Sequence, residues 1–134
     1  MSKFIDKIAS VSKLYHATGC AESHILAAQE ALGLSFPDEY KEYVKVYGAI
    51  SFYQTEWTGL NVDGHLNVVN ATLQERALNP AFPSDCFVLE NHAVDGLFTV
   101  VNQEGCVYLL RYDRKEFLCW SLAEYLDFCI ARIK

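Results

Sequence analysis

The stretch GLSFPDEYKEYVKVYG constrains the fold most, because it marks both ends of a helix between Gly33 and Gly48. Pro37 suits the first helical position, where its missing N–H costs nothing. Asp38 and Glu39 place negative charge at the positive end of the helix dipole. Gly48 favours the left-handed conformation that ends a helix. Apolar and aromatic side chains recur between these ends at helical spacing, at Tyr40, Tyr43, Val44 and Tyr47. The stretch therefore predicts a capped helix with one buried face.

Four further helices are predicted from apolar spacing and end signals. They cover residues 3–16, 21–32, 70–78 and 122–132. Thr18-Gly19 is predicted to end the first of them. Ser121 and Glu124 have the spacing of a capping box, in which each residue satisfies a backbone N–H of the other at the start of the last helix.

Strand-like runs occupy much of the second half of the chain. They cover residues 50–53, 86–89, 97–101, 106–112 and 116–120, and residues 56–60 fit either a short strand or a turn. The loops within the last third are short, so these strands are predicted to pair antiparallel as a meander. The order of elements predicts a single α+β domain over residues 1–134, with a mostly antiparallel sheet flanked by N-terminal helices and a C-terminal helix.

The cysteines and the N-terminus bear on the compartment. The chain has five cysteines, an odd number without a C-x-x-C pair, which favours reduced, buried thiols in a cytoplasmic protein. Asp6 and Lys7 interrupt the apolar residues near the N-terminus, so no signal peptide is predicted. No apolar run approaches the roughly 20 residues that span a bilayer, so no membrane association is expected.

The formal net charge of −6 is concentrated in the middle of the chain. Residues 50–110 have one cation, Arg76, against seven acids, whereas residues 1–49 and 111–134 have net charges of −1 and +1. The seven acids are Glu56, Asp63, Glu75, Asp85, Glu90, Asp95 and Glu104. Such a field repels nucleic acid and favours a basic protein partner. Ordinary solubilising charge is the alternative explanation.

Motifs for catalysis or cofactor binding are not found. His16, Cys20 and His24 have metal-ligand spacing on a helix, but Thr18-Gly19 interrupts that helix and no fourth ligand is visible, so no metal site is predicted. The chain has no G-x-S-x-G and no glycine-rich phosphate loop, and no cofactor is expected. A small hydrolase that uses a cysteine or a carboxylate stays open as an alternative.

The region around the central helix resembles the signature of the SUKH superfamily. The matching residues are Leu32-Gly33, then Pro37 and Tyr40 as Pro-x-x-Tyr, and the closing Tyr47-Gly48. The family pattern has Leu before the proline and Asn-Gly at the close, where this chain has Phe36 and Tyr47. The order of elements extends the resemblance over roughly residues 20–133. The superfamily includes fungal cell-wall-synthesis regulators and bacterial immunity proteins that neutralise toxins.

The resemblance implies a non-catalytic protein-binding module, and in particular an immunity protein that blocks a toxin domain, often a nuclease, by direct binding. A regulatory scaffold for an endogenous protein is the alternative that the family also implies. The resemblance also implies that the motif residues of the family have a structural role. Since nuclease faces are basic, acids of the middle region with an aromatic anchor are the predicted contacts. The predicted set is Tyr53, Glu56, Trp57, Asp63, Glu90, Asp95 and Glu104, and core packing is the alternative interpretation for the two aromatic residues.

Overall fold

The structure is a computed structural model that describes residues 3–94 and 96–132. The helices in these residues are α1 (Lys3–Ala9), α2 (Glu22–Leu32), α3 (Asp38–Tyr47), α4 (Val68–Leu78) and α5 (Leu122–Ala131). The strands are β1 (Tyr15–His16), β2 (Ile50–Phe52), β3 (Thr55–Trp57), β4 (Cys86–Asn91), β5 (Leu97–Asn102), β6 (Val107–Arg111) and β7 (Arg114–Cys119). They form two antiparallel sheets of order β1-β2-β3 and β4-β5-β6-β7, which confirms the predicted α+β class.

Helix α3 has the predicted ends with one shift. Pro37 is the extended residue that precedes the helix, not its first helical residue. Gly48 follows the helix with the predicted positive φ, 76°, but its ψ of −66° places it outside the left-handed helical conformation that was predicted. The Tyr43 hydroxyl donates a hydrogen bond to the Thr58 carbonyl at 2.7 Å and accepts one from the Ile50 N–H at 3.0 Å. The buried face of α3 is thereby fixed to the first sheet.

The predicted first helix is wrong beyond Ala9. The chain leaves the helix there, and residues 15–16 form β1, which pairs with β2 through Tyr15–Ser51 and His16–Ile50. Val11 lies beyond the end of the helix and is buried, whereas Tyr15 is exposed. Their helical spacing therefore does not reflect one helical face. Pairing with a distant strand overrides the local pattern.

The four-stranded sheet is covered on both faces. Phe87, Leu89 and Val101 face the larger apolar core with α1, α3 and α5, whereas Val88 and Val100 face a smaller core beneath α4. Strand β4 is consequently buried on both sides over Cys86–Glu90, which explains why it reads as a continuous apolar run.

A β-bulge changes the alternation of β4. Val88 pairs with Val100 and Glu90 pairs with Thr99, so Leu89 is the extra residue. The Leu89 carbonyl instead accepts a hydrogen bond from the Thr58 N–H at 2.8 Å, which joins the end of β3 to β4. Because of this extra residue, Glu90 lies on the same face as Leu89, toward the larger core.

Three glycines lie where backbone segments approach each other too closely for a side chain. A β-carbon on Gly48 would lie 2.3 Å from the Thr18 carbonyl oxygen, and one on Gly19 would lie 2.0 Å from that of Lys45. A β-carbon on Gly59 would lie 1.6 Å from the Gly48 carbonyl oxygen. We call these three residues the glycine junction. It joins the end of α3 to the chain on either side.

Helix α5 is fixed at its start by two helix caps. The Ser121 hydroxyl accepts from the Glu124 N–H at 3.2 Å, as the predicted capping box required, while the Glu124 carboxylate accepts from the Trp120 N–H and not from that of Ser121. The Glu39 carboxylate of α3 accepts from the Leu122 N–H at 2.8 Å. The two helices are thus joined at their N-terminal ends, where negative charge is favourable.

All five cysteines are free thiols, and four of them are buried. Burial raises the pKa of Cys86 and Cys129 to about 12 and that of Cys119 to about 11. At pH 8 these thiols stay protonated, and burial keeps an alkylating reagent from reaching them. We expect brief alkylation of the native protein to modify the half-buried Cys106 first and to reach the four buried cysteines only after denaturation, as measured by peptide mass spectrometry. Fast native labelling of Cys86 would contradict this.

Candidate functional site

Three of the predicted contact acids lie on the surface. Glu56 points outward from β3, Asp63 precedes the helical turn Gly64–Leu66, and Glu104 lies in the loop between β5 and β6. Tyr53 is also exposed, in the turn between β2 and β3, and its hydroxyl lies 3.5 Å from that of Ser12. Asp95 lies outside the described residues. The contact role of Tyr53, Glu56, Asp63, Asp95 and Glu104 remains a prediction.

Trp57 does not lie where a surface anchor is needed. Its side chain is 0% exposed, and its ring lies 5.5 Å from that of Tyr43 and 6.1 Å from that of Tyr125. The reason is strand alternation: Thr55 and Trp57 face the core, and Glu56 between them faces outward. The anchor role predicted for Trp57 is therefore corrected to core packing.

Glu90 is also inside the protein, with its side chain only 3% exposed. Its carboxylate accepts hydrogen bonds from the Tyr125 hydroxyl at 2.5 Å and from Arg132 at 2.8 and 3.2 Å. The bulge at Leu89 places it there. Its predicted role as a surface contact is thus corrected to one partner of a buried ion pair.

This ion pair belongs to a longer polar network. The Thr99 hydroxyl lies 2.8 Å from that of Tyr125 and 2.7 Å from His92 Nε2. Desolvation raises the pKa of Tyr125 and lowers the pKa of His92, so both are neutral at pH 7. With its carboxylate already accepting several hydrogen bonds, Glu90 is suited to hold the end of α5 against the sheet and not to act as a free base.

The remaining acids do not form one face. Glu104 follows the end of β5, where the neighbouring Gln103 side chain accepts from the Ser35 N–H at 2.7 Å, just before α3. Glu56 lies at the opposite end of the sheet, beside Asn91 and Phe98. The acidic surplus of the sequence is therefore divided between separate surfaces.

Glu56 borders an open groove, which we call the α4 groove. It runs between α4 and the β4–β5 end of the sheet, as a small cavity of about 60 Å³ that continues into one of about 340 Å³. The first part is lined by residues that include Glu56, His65, Gln74, Glu75, Asn91 and Phe98. The second part includes Glu75, Leu78, Asn79, Val94, Gly96 and Tyr112.

The α4 groove combines carboxylates with exposed apolar side chains. Glu56 Oε1 lies 3.7 Å from His65 Nε2, and both side chains are open to solvent, so this pair is weak. Leu78 is 69% exposed on the rim, and Val94 is exposed opposite it. Apolar anchors beside charged groups are typical of a protein-binding surface.

The rim around Tyr112 is built from two turns. Tyr112 has a φ of 56°, and its N–H donates to the Gly96 carbonyl at 3.0 Å. The Asn79 side chain donates to the Tyr112 carbonyl at 2.9 Å, which ties the end of α4 to this turn. Gly96 has a φ of 74°, which favours glycine, and a β-carbon on it would lie 2.5 Å from the exposed Tyr112 ring. Sequence reasoning did not select these residues, because only the packing of α4 brings them together.

The candidate metal residues are separated by the fold. His16 lies in β1, while His24 lies in α2 and its Nδ1 accepts the Ala21 N–H at 3.0 Å. Within residues 3–94 and 96–132, no group of three or more His, Cys, Asp or Glu side chains is placed to hold a metal ion. In the same residues, no helix is long and apolar enough to cross a membrane.

Helices packed on both faces of an antiparallel sheet define an α+β protein, and the α4 groove on its surface is lined by two carboxylates, Glu56 and Glu75. A family model described as SUKH_5, SMI1-KNR4 cell-wall, matches residues 1–130, and the chain belongs to this family. The resemblance predicted from the Gly33–Gly48 stretch is thereby confirmed. No curated protein matches the chain. Proteins of this family are generally non-catalytic, which is consistent with an immunity or regulatory role and with protein binding.

Proposed function

We propose that the protein is a non-catalytic immunity protein that neutralises a basic, nuclease-type toxin domain by direct binding through the α4 groove. The observation that carries this proposal is the presence of Glu56 and Glu75 in one groove with the exposed apolar side chains of Leu78 and Val94. In this proposal the protein acts in the cytoplasm, where its thiols stay reduced.

The two kinds of groove residue contribute differently to binding. A nuclease active face must attract phosphate and is therefore basic, so carboxylates in the groove speed the encounter with it. Apolar side chains such as Leu78 lose water in the complex and slow dissociation. A blocked active face needs no chemistry from the inhibitor, which agrees with a non-catalytic family.

A regulatory scaffold for an endogenous protein is the second candidate, and the family description as a cell-wall group favours it. Capture of the bound protein from the native cell separates the two, because a toxin domain is basic and encoded beside its inhibitor. The raised pKa values of Cys86, Cys119 and Cys129, which burial causes, argue against a thiol hydrolase.

The Glu56→Lys variant tests the groove once the partner has been captured. We expect its association rate at low salt to fall about tenfold and to depend less on salt, because one attractive charge becomes repulsive. Association is measured by stopped-flow fluorescence or surface plasmon resonance over a salt series.

Glu104→Lys is the matched control, since it makes the same change of charge at the opposite end of the sheet. Its association rate should fall far less. Equal slowing in both variants would mean that overall charge governs the encounter. Unchanged association rates in both would show that the α4 groove is not the contact surface.

A further inference from the structure

Strand β7 forms one edge of the four-stranded sheet. It spans Arg114–Cys119 and pairs with β6 on one side, and within the described part of the chain no strand pairs with its other side. An edge strand of this length presents unpaired backbone donors and acceptors, which are a template for pairing with another strand. The edge strand β1 of the other sheet has only two residues and is a poor template.

An aromatic patch lies along this edge. The ring of Phe117 lies 5.7 Å from that of Tyr108 and 4.8 Å from that of Trp120. Phe117 is 44% exposed and Trp120 is 71% exposed. Lys115 Nζ lies 4.4 Å from the centre of the Tyr108 ring, so its charge is directed onto the patch. Contiguous exposed aromatic surface marks an interaction site.

The charge around β7 favours a second copy of the chain as the occupant. Each copy has a net charge of −6, and residues 50–110 account for that surplus. The hairpin of β6 and β7 instead has three cations, Arg111, Arg114 and Lys115, against the two acids Asp113 and Glu116. Two copies therefore meet at this edge without the repulsion that their acidic surfaces produce.

We infer that β7 pairs antiparallel with β7 of a second copy, about a two-fold axis at Phe117. In such a dimer the residue on the axis lies directly opposite the same residue of the second copy. An axis at Arg114, Lys115 or Glu116 would place like charges directly opposite each other, which is destabilising. Leu118 is the extra residue of a bulge against β6 and is irregular. An axis at Phe117 joins the two sheets and merges their aromatic patches.

Substitution at the axis tests this dimer, and it does so independently of the proposed immunity function. Wild-type protein should have twice the monomer mass in light scattering or sedimentation equilibrium. Phe117→Lys and Phe117→Glu should each raise the dimer dissociation constant at least about 30-fold, because a central aromatic contact is lost and like charges face each other. An equimolar mixture of the two variants should recover the dimer, because lysine then faces glutamate.

Tyr15→Lys and Tyr15→Glu are the controls, since Tyr15 is an exposed aromatic residue on the edge strand of the other sheet. Both should remain dimeric, and circular dichroism should show that all four variants are folded. A wild-type protein that stays monomeric at every soluble concentration would overturn the inference and leave the patch to a different partner. The two-fold axis at Phe117 would also be contradicted if the single Phe117 variants still dimerised, or if their mixture failed to recover the dimer.

Discussion

The Gly48→Val variant should lose about 4 kcal/mol of unfolding free energy, which removes much of the stability of a typical domain. Two costs add at this position. The φ of 76° is strained for a β-branched side chain, and the new β-carbon would lie 2.3 Å from the Thr18 carbonyl oxygen. Since the neighbouring atom belongs to the backbone, no change of rotamer relieves the contact. Urea denaturation followed by fluorescence measures the loss.

Gly33→Val is the matched control for this variant. Gly33 has a φ of 67°, but no atom lies within 4 Å of a β-carbon built on it. It should therefore cost only the backbone strain, about 2 kcal/mol. Equal losses at Gly33 and Gly48 would show that the close approach at the glycine junction is not energetically important.

Arg132→Met should destabilise the fold by about 3 kcal/mol, because it leaves the Glu90 carboxylate buried without its counter-charge. Glu90 is 3% exposed and accepts two hydrogen bonds from the guanidinium, at 2.8 and 3.2 Å. The Arg132 side chain is itself 39% exposed, so we take the lower end of the range measured for broken buried pairs. The midpoint of urea denaturation at pH 7 measures the effect.

Two comparisons isolate the contribution of the buried charge. Lys7→Met breaks the exposed ion pair in which Lys7 Nζ lies 3.0 Å from Asp127 Oδ1. It should lower the free energy of unfolding by less than about 1 kcal/mol. Adding Glu90→Leu to Arg132→Met removes the unpaired carboxylate and should restore part of the loss. A double variant that is less stable than Arg132→Met alone would mean that packing, and not charge, explains the result.

Elements with local signals were predictable from the sequence. Helix α3 is the clearest case, because Asp38, Glu39 and Gly48 define its ends within one short stretch. The Ser121 cap of α5 and the hairpin of β5 and β6 follow from equally local patterns. Such signals depend only on neighbouring residues, so no knowledge of the remaining fold is needed.

Features created by distant contacts were not predictable. Strand β1 exists because β2 pairs with it, and residues 10–16 alone favour a continued helix. The bulge at Leu89 has no sequence signal, yet it decides that Glu90 is buried. Tyr53 and Glu56 are exposed, as the predicted contact role requires, but the α4 groove beside Glu56 depends on where a separate helix packs.

The contact between α1 and α5 has a consequence for synthesis. Lys7 Nζ lies 3.0 Å from the Asp127 carboxylate, and Phe4, Ile5 and Ile8 are buried in the core that Leu122 and Leu126 complete. During synthesis α1 can pack first against α3 and Trp57, whereas its contacts with α5 form only after that later helix has left the exit tunnel. The larger core is therefore complete only after α5 has been synthesised, and until then the apolar residues of α1 that face α5 stay accessible to chaperones.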